Sequence, residues 1–290
     1  MDLDVLIDGT AYRLSDGTYC KLLRQSGIGL PPLHRLSERG PQQDGDSDRG
    51  FRLDPRIVTL ILSLQTPNML TKRDQIMALF KPRNTALVLR WTRDDAAVRS
   101  LDCHYIDQAE LTTQSKSRYH LEIPAQFKAA NPTFYNPVPE SIVFQIPDSG
   151  VALEIPLDIP WVMGSSVLDV LIPVIYTGTY RAYPVITISG PIANCVIEND
   201  ATGEKLDWTG VTIAAGETRI VDLRYGFKTV VDGSGNDRLY ELTNDSDLAT
   251  WHLAEAPDAV DGLNLIHVTG SGCTIATSVT IEYLTRYVSL

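Results

Sequence analysis

The chain has no paired cysteines, no long apolar run, no positive surplus and no recognisable catalytic frame. Cys20, Cys103, Cys195 and Cys273 stand far apart with no CxxC spacing, which excludes the common zinc pattern and a secreted disulfide framework. Four free thiols and folding in a reducing compartment are therefore expected. The most apolar stretch, 167–176, contains Asp169 and Pro173 and falls well short of the roughly 20 residues of a membrane helix. The start, Met1-Asp2-Leu3-Asp4, has neither a basic nor an apolar leader region, so no signal peptide is expected. With 36 Asp and Glu against 25 Lys and Arg, the formal net charge is -11. A dedicated nucleic-acid binder needs a positive stripe to displace phosphate counterions. An acidic chain lacks it, although nucleic acid could still travel past its surface.

Chemistry is equally scarce. Cys103 and His104 are neighbours, and on a strand neighbours face opposite ways, so they make a poor dyad. No serine sits in G-x-S-x-G. The histidines at 34, 104, 120, 252 and 267 show no metal-ligand spacing. The acidic run Asp44-Gly45-Asp46-Ser47-Asp48 hints at a calcium loop but lacks the bidentate Glu. Gly233-Ser234-Gly235 and Gly270-Ser271-Gly272 read as tight hairpin turns, because no helix follows to make a phosphate cradle. No enzyme, metal site or cofactor is expected.

What the chain does have is β rhythm. At 290 residues, with 43% hydrophobic and 21% charged residues, it can bury roughly three quarters of its unfolded surface without staples. Residues 3–7 and 11–14 flank Asp8-Gly9 as a hairpin. Residues 36–50 hold one aliphatic side chain amid Gly, Pro, Asp, Arg, Ser and Gln. They predict a long loop that is either mobile or shaped only against a partner. Phe51-Arg52-Leu53-Asp54-Pro55-Arg56 then leads into 57–64, apolar on both faces and so expected inside a sandwich. One helix is expected, with Thr71 and Asp74 as a capping pair, a stripe of Ile76, Met77, Leu79 and Phe80, and a stop at Pro82. Strands are predicted at 86–91 and 119–123, with a strand pair over 100–113. Two Asn-Pro breaks near 131–137 close this unit. Residues 142–146 and 151–155 predict a connecting hairpin across Pro147-Asp148-Ser149-Gly150.

From Tyr183-Pro184-Val185-Ile186-Thr187-Ile188-Ser189-Gly190-Pro191 onward, short strand-like runs alternate with turns. They fall at 185–189, 194–198, 211–213, 219–223, 228–231, 239–242, 263–269 and 278–287. This spacing predicts an all-β sandwich. The chain should thus be mainly β. A β-rich N-terminal domain with one α-helix (1–140) and a connecting hairpin region (141–179) should precede a C-terminal β-sandwich (180–290).

The C-terminal motifs carry a resemblance. Gly178 to Pro191 has the spacing G-x-x-x-x-Y-P-x-I-x-I-x-G-P. Asn199, Thr202 and Gly203 follow as N-x-x-T-G, then Ala215-Gly216-Glu217, Asp222, Lys228-Thr229-Val230, Asn264-Leu265-Ile266, Ile281-Glu282-Tyr283 and Arg286-Tyr287. Together these are similar to the C-terminal domain of siphophage distal tail proteins. The N-terminal part agrees in order through Asp54-Pro55-Arg56, Phe80-Lys81-Pro82 and Asn131-Pro132-Thr133-Phe134-Tyr135. The 36–50 and 138–177 stretches depart from the family pattern.

The resemblance implies a structural virion protein of the tail tip, made in the bacterial host cytoplasm, with a ring-forming N-terminal domain and a sandwich of galectin-like or jelly-roll type. Its implied partners are copies of itself in a ring, usually a hexamer, the tail tube protein, the tip hub, the tape measure protein and receptor-binding proteins. DNA would pass through in transit only. Ring contacts are expected at or near Phe51, Arg52, Pro55, Arg56 and Arg73, with charge reversal at Arg56 weakening assembly. The alternative is a carbohydrate-binding or host-adhesion module, in which Trp208, Tyr225, Tyr240 and Trp251 form a sugar-stacking platform.

Overall fold

The computed structural model describes residues 1–65, 68–106, 120–146 and 167–290. The chain is mainly β and forms two compact units, Met1–Pro137 with Tyr287–Leu290, and Val138–Arg286. The predicted strand partner at 151–155 and the 147–150 turn lie outside the described residues.

The first unit contains β1 (Asp2–Ile7), β2 (Thr10–Arg13), β3 (Lys21–Ser26), β4 (Leu33–Glu38), β5 (Ser47–Leu53) and β6 (Arg56–Gln65). Helix α1 (Met69–Leu79) follows, then β7 (Leu87–Thr92), β8 (Val98–Tyr105), β9 (His120–Ala129) and β10 (Phe134–Tyr135). The main sheet runs β2-β1-β7-β8-β9-β6-β3, with β10 on β8. The expected first hairpin forms, and Asp8 and Gly9 both take positive φ (50° and 81°) as a primed turn demands. In β6 one face is buried throughout, from Arg56 through Val58, Leu60 and Leu62 to Leu64, whereas Ile57 on the other face is half exposed. This strand is therefore less enclosed than its composition suggests.

Helix α1 begins before the expected cap. Asn68, in the left-handed region at φ 68°, is the N-cap and makes no side-chain cap bond. Thr71 thus lies inside the first turn and does not cap it. Asn tolerates that conformation better than most residues, and the start is set by packing on β6. Ile76, Leu79 and Phe80 are buried, each contributing about 1.5–3 kcal/mol. The Phe80 ring meets Phe127 of β9 edge-on at 5.1 Å.

The second unit contains β11 (Glu140–Gln145), β12 (Leu168–Ile175), β13 (Val185–Ser189), β14 (Ile192–Asn199), β15 (Glu204–Asp207) and β16 (Thr212–Ile213). It continues with β17 (Thr218–Asp222), β18 (Thr229–Asp232), β19 (Leu263–Ser271) and β20 (Ser278–Tyr283); β21 (Arg286–Tyr287) straddles the boundary at which the chain returns to the first unit. Two antiparallel sheets, β11-β20-β13-β17-β18 and β12-β19-β14-β15 with β16 on β14, share one core that includes Ile186, Ile188, Trp208, Val221, Trp251 and Ile266. Of the 141–179 region, β11 and β12 are described. β11 pairs with β20 and β12 pairs with β19, so its two described strands belong to different sheets.

The strand Tyr183–Pro191 was expected to be half buried, and β13 alternates accordingly, with Ile186 and Ile188 inward. It is the middle strand of its sheet. A Cβ on Gly190 would collide with the Ala214 and Ile213 carbonyls, so glycine is required where the chain turns out of β13. The expected strand at 239–242 is instead a 3-10 turn, Leu239–Glu241. The Asp237 carboxylate accepts from the Leu239 amide at 2.9 Å, a local bond that competes with a strand ladder.

Candidate functional site

The most unusual element is the ribbon of β4 and β5. Among the described residues these strands pair only with each other, from Leu33↔Leu53 to Glu38↔Ser47, with a bulge between Arg35 and Ser37. The segment expected as a loop at 36–50 is therefore mostly a hairpin with an irregular 39–46 tip. Charge pairing holds it where apolar packing does not. Arg35 meets Asp48 at 2.9 Å, Arg49 meets Glu38 at 2.7 Å, and Gln43 donates to Ser47 at 2.9 Å. Exposed ion pairs of this kind contribute at most about 1 kcal/mol each, and a lone two-stranded ribbon is marginal in water. Leu33, Leu36 and Phe51 (50% exposed) nevertheless present large apolar surface along it. An arm that buries neither face within its own chain has the character of a contact element.

Of the residues expected at a subunit contact, Phe51 and Arg52 lie on this arm and are exposed, and Pro55 is exposed at its base. Arg73 lies on α1 and forks onto Asp74 at 2.6 Å. Arg56 is different. It is 1% exposed, and its guanidinium donates to the carbonyls of Pro132 (2.7 Å), Gly27 (2.7 Å), Gly29 (2.6 Å) and Val288 (2.6 Å). It also lies 4.6 Å from the Phe134 ring centre. Burial pushes its pKa down to about 10, so it is still a cation at neutral pH. Arg56 clamps three backbone segments of its own unit and offers nothing to a neighbour. The expectation that it makes a surface contact is corrected accordingly.

The four-residue aromatic platform does not form either. Trp208 and Trp251 are fully buried in the core of the second unit and cannot stack on a sugar. Tyr225 and Tyr240 are 76% and 74% exposed. Tyr225 packs edge-on to Tyr183 at 6.1 Å, while the Tyr240 hydroxyl accepts from Arg238 at 2.7 Å.

Beside Tyr183 lies Lys228, in left-handed backbone at φ 50°, with its ammonium 4.1 Å from the ring centre and no hydrogen-bond partner. Burial outweighs the nearby Glu204 and Asp222 carboxylates and brings the ammonium down from 10.5 to about 8. A folded value below the unfolded one means that, above pH 8, the unfolded chain binds the extra proton. Lys228 by itself should therefore add stability to the second unit between about pH 8 and 9.5, against the opposite contribution of the buried Cys195 and Cys273 thiols, which stay protonated in the folded unit. Urea midpoints at the two ends of that window test this. Lys228→Met should lose stability relative to the parent as pH rises across the window, and an equal slope in the variant would refute the assignment to Lys228.

All four cysteines are free and buried, and burial raises every thiol pKa, to about 12 at Cys20 and Cys195. Cys103 is buried while His104 is exposed on the opposite face of β8. No group of His, Cys, Asp or Glu among the described residues is arranged to hold a metal ion. No described helix is long and apolar enough to cross a membrane.

No protein-family model matches the chain, and no curated protein matches it by sequence. Solved structures do. The SPP1 Dit protein, described as a paradigm of hub adsorption apparatus in phages that infect Gram-positive hosts, has the same fold over 98% of both chains, with a TM-score of 0.60 and 16% identity. Two structures of the phage P2 baseplate in its activated conformation, with calcium and with strontium, align over 97% of each chain at 11% and 10% identity. Their TM-scores of 0.47 and 0.46 are too low to bear on the fold.

Proposed function

We propose that this chain is a non-enzymatic structural subunit of a bacteriophage tail tip, a distal tail protein whose first unit closes a homo-oligomeric ring. The observation that carries the reading is the end-to-end fold likeness to SPP1 Dit, which spans both units. The β4–β5 arm supports it physically. Its exposed Leu33, Leu36 and Phe51 need a partner surface, and a head-to-tail contact between copies closes a ring when the rotation closes. A hexameric ring would join the tail tube protein to the tip hub, meet the tape measure protein and receptor-binding proteins, and let DNA through. The net charge of -11 suits a passage that must not retain a polyanion. The subunit would be made in the host cytoplasm and reside at the tail tip. An adhesion module is the weaker reading, since only Tyr225 and Tyr240 of the expected platform reach solvent.

Mass photometry and negative-stain microscopy of the full chain test the ring; six copies of the 32.0 kDa chain give a distinctive mass. In the double variant Leu36→Asp, Phe51→Asp, assembly should weaken at least tenfold, about 1.4 kcal/mol. The unfolding midpoint should stay within about 0.5 kcal/mol of the parent, as for surface sites in general. A chain that remains monomeric at every concentration, with no ring at the tail tip of intact particles, would sink the proposal.

A further inference from the structure

The first unit holds a small concentration of positive charge that the assembly reading does not use. After α1, Lys81, Arg83 and Thr85 line a cavity of about 60 Å³ together with His104 of β8. That is room for about four waters, taking roughly 15 Å³ each, or for one tetrahedral oxyanion in their place. Lys128 of β9 stands directly opposite His104 in the strand register, so both project from the same face of the sheet. Basic groups gathered this closely repel one another, and nothing in the fold of an acidic chain requires them to gather.

Arg83 carries the most specific signal. Its Nη1 donates to the Asp8 carboxylate at 3.0 Å, while its Nε is buried with no hydrogen-bond partner. The side-on edge of a guanidinium, Nε–H together with Nη2–H, is the edge that grips an oxyanion bidentately. Leaving a charged donor desolvated and unpaired costs more than about 1–3 kcal/mol, and no acceptor for it is present among the described residues. Among the described residues the Lys81 ammonium, Thr85 hydroxyl and His104 ring likewise have no side-chain partner. Asp8 is the one carboxylate paired with the group. It accepts from Nη1, while Nε stays buried and unpartnered.

We propose that the cavity lined by Lys81, Arg83, Thr85 and His104 is a binding site for a phosphate-class oxyanion. The ligand is either free phosphate or the phosphate of an ester chain, and both present the same tetrahedral acceptors. The Arg83 guanidinium, Thr85 and His104 donate to its oxygens, Lys81 neutralises its charge, and Lys128 adds positive charge from the strand beside His104.

Equilibrium dialysis of the full chain with radiolabelled inorganic phosphate in a constant chloride background tests the site. One saturable site per chain is expected. Lys81→Gln and Arg83→Gln should each weaken it by roughly tenfold, as loss of one charge-assisted bond implies, whereas Lys21→Gln, on remote β3, should leave it unchanged. Lys81 is exposed on a loop, so its variant keeps the test decisive if Arg83→Gln disturbs folding. Competition by dimethyl phosphate distinguishes the sources. Displacement assigns the site to phosphodiesters, and failure to displace assigns it to free phosphate. Absence of saturable binding, or equal affinity in Lys81→Gln, Arg83→Gln and Lys21→Gln, would overturn the proposal.

Discussion

Replacing Arg56 by methionine should destabilise the first unit by about 3–5 kcal/mol, the range reached when a buried hydrogen-bond network is broken. The guanidinium occupies four carbonyls from three separate segments: Gly27 and Gly29, Pro132, and Val288. Methionine fills much of the volume but donates nothing, and each buried carbonyl left unmade costs about 1–3 kcal/mol before relaxation and water entry recover part of it. Lysine should rescue little, because an ammonium cannot present the planar fork that reaches four acceptors. The acceptors are themselves fixed. Gly27 takes φ 81° and passes so close to Ile57 that a Cβ would strike its carbonyl. Residues 287–290 are held further by Leu290 N donating to the Ile28 carbonyl at 3.1 Å and by the Arg99 guanidinium over the Tyr287 ring at 3.7 Å. Trp91 reports the change directly. It is the first unit's only tryptophan, and its ring meets Phe134, the ring under Arg56, at 5.5 Å. Denaturant unfolding followed at Trp91 should show the shifted midpoint; a parent-like midpoint would refute the clamp. Arg56→Glu should fail in the same transition, so charge reversal there reads folding and not assembly.

Much of this was legible in the residues. The C-terminal rhythm of turns every few residues marks most strands of the second unit, because Gly-rich turns and β-branched runs act locally. The clamp was partly legible too. Arg56 falls in period with Val58, Leu60, Leu62 and Leu64, the face that is buried throughout, and a cation in register with a buried face must find acceptors inside. The arm escaped because its strands carry charge pairs where amphipathic alternation would betray a strand; the ordering comes from cross-strand partners such as Arg35 and Asp48, which no local pattern encodes. Trp208 and Trp251 gave no sign of their depth, since an indole serves a core or a binding face equally well. The Arg83 cavity draws on the loop after α1, the start of β7, and β8, and only the fold brings those segments together.

In the second unit, Asn264→Leu should cost about 3–4 kcal/mol, in the tail of mutational effects reserved for unsatisfied buried polar groups. The change nearly conserves volume, so packing alone would predict less than about 1.5 kcal/mol. The excess comes from an amide whose four hydrogen-bonding positions are all used. Its Oδ1 accepts from Asn199 Nδ2 at 2.9 Å and from the Ala254 amide at 2.8 Å. Its Nδ2 donates to the Ala254 carbonyl at 2.9 Å and the Gly262 carbonyl at 3.0 Å. Asn199 continues the network, donating also to the His252 carbonyl at 2.8 Å and accepting from the Ala201 amide at 3.1 Å. Both side chains are fully buried. They join the β14–β15 turn, the 252–254 segment and the start of β19, which explains why asparagine stands at both places in the N-x-x-T-G and N-L-I motifs. The unfolding transition seen at Trp208 and Trp251 should shift while that seen at Trp91 does not. Paired substitution separates the network from simple packing. Asn199→Leu combined with Asn264→Leu removes both ends of one bond, so the double variant should lose less than the sum of the singles by about 0.5–3 kcal/mol. Strict additivity would mean that the two amides stabilise the unit independently and that their contact is incidental.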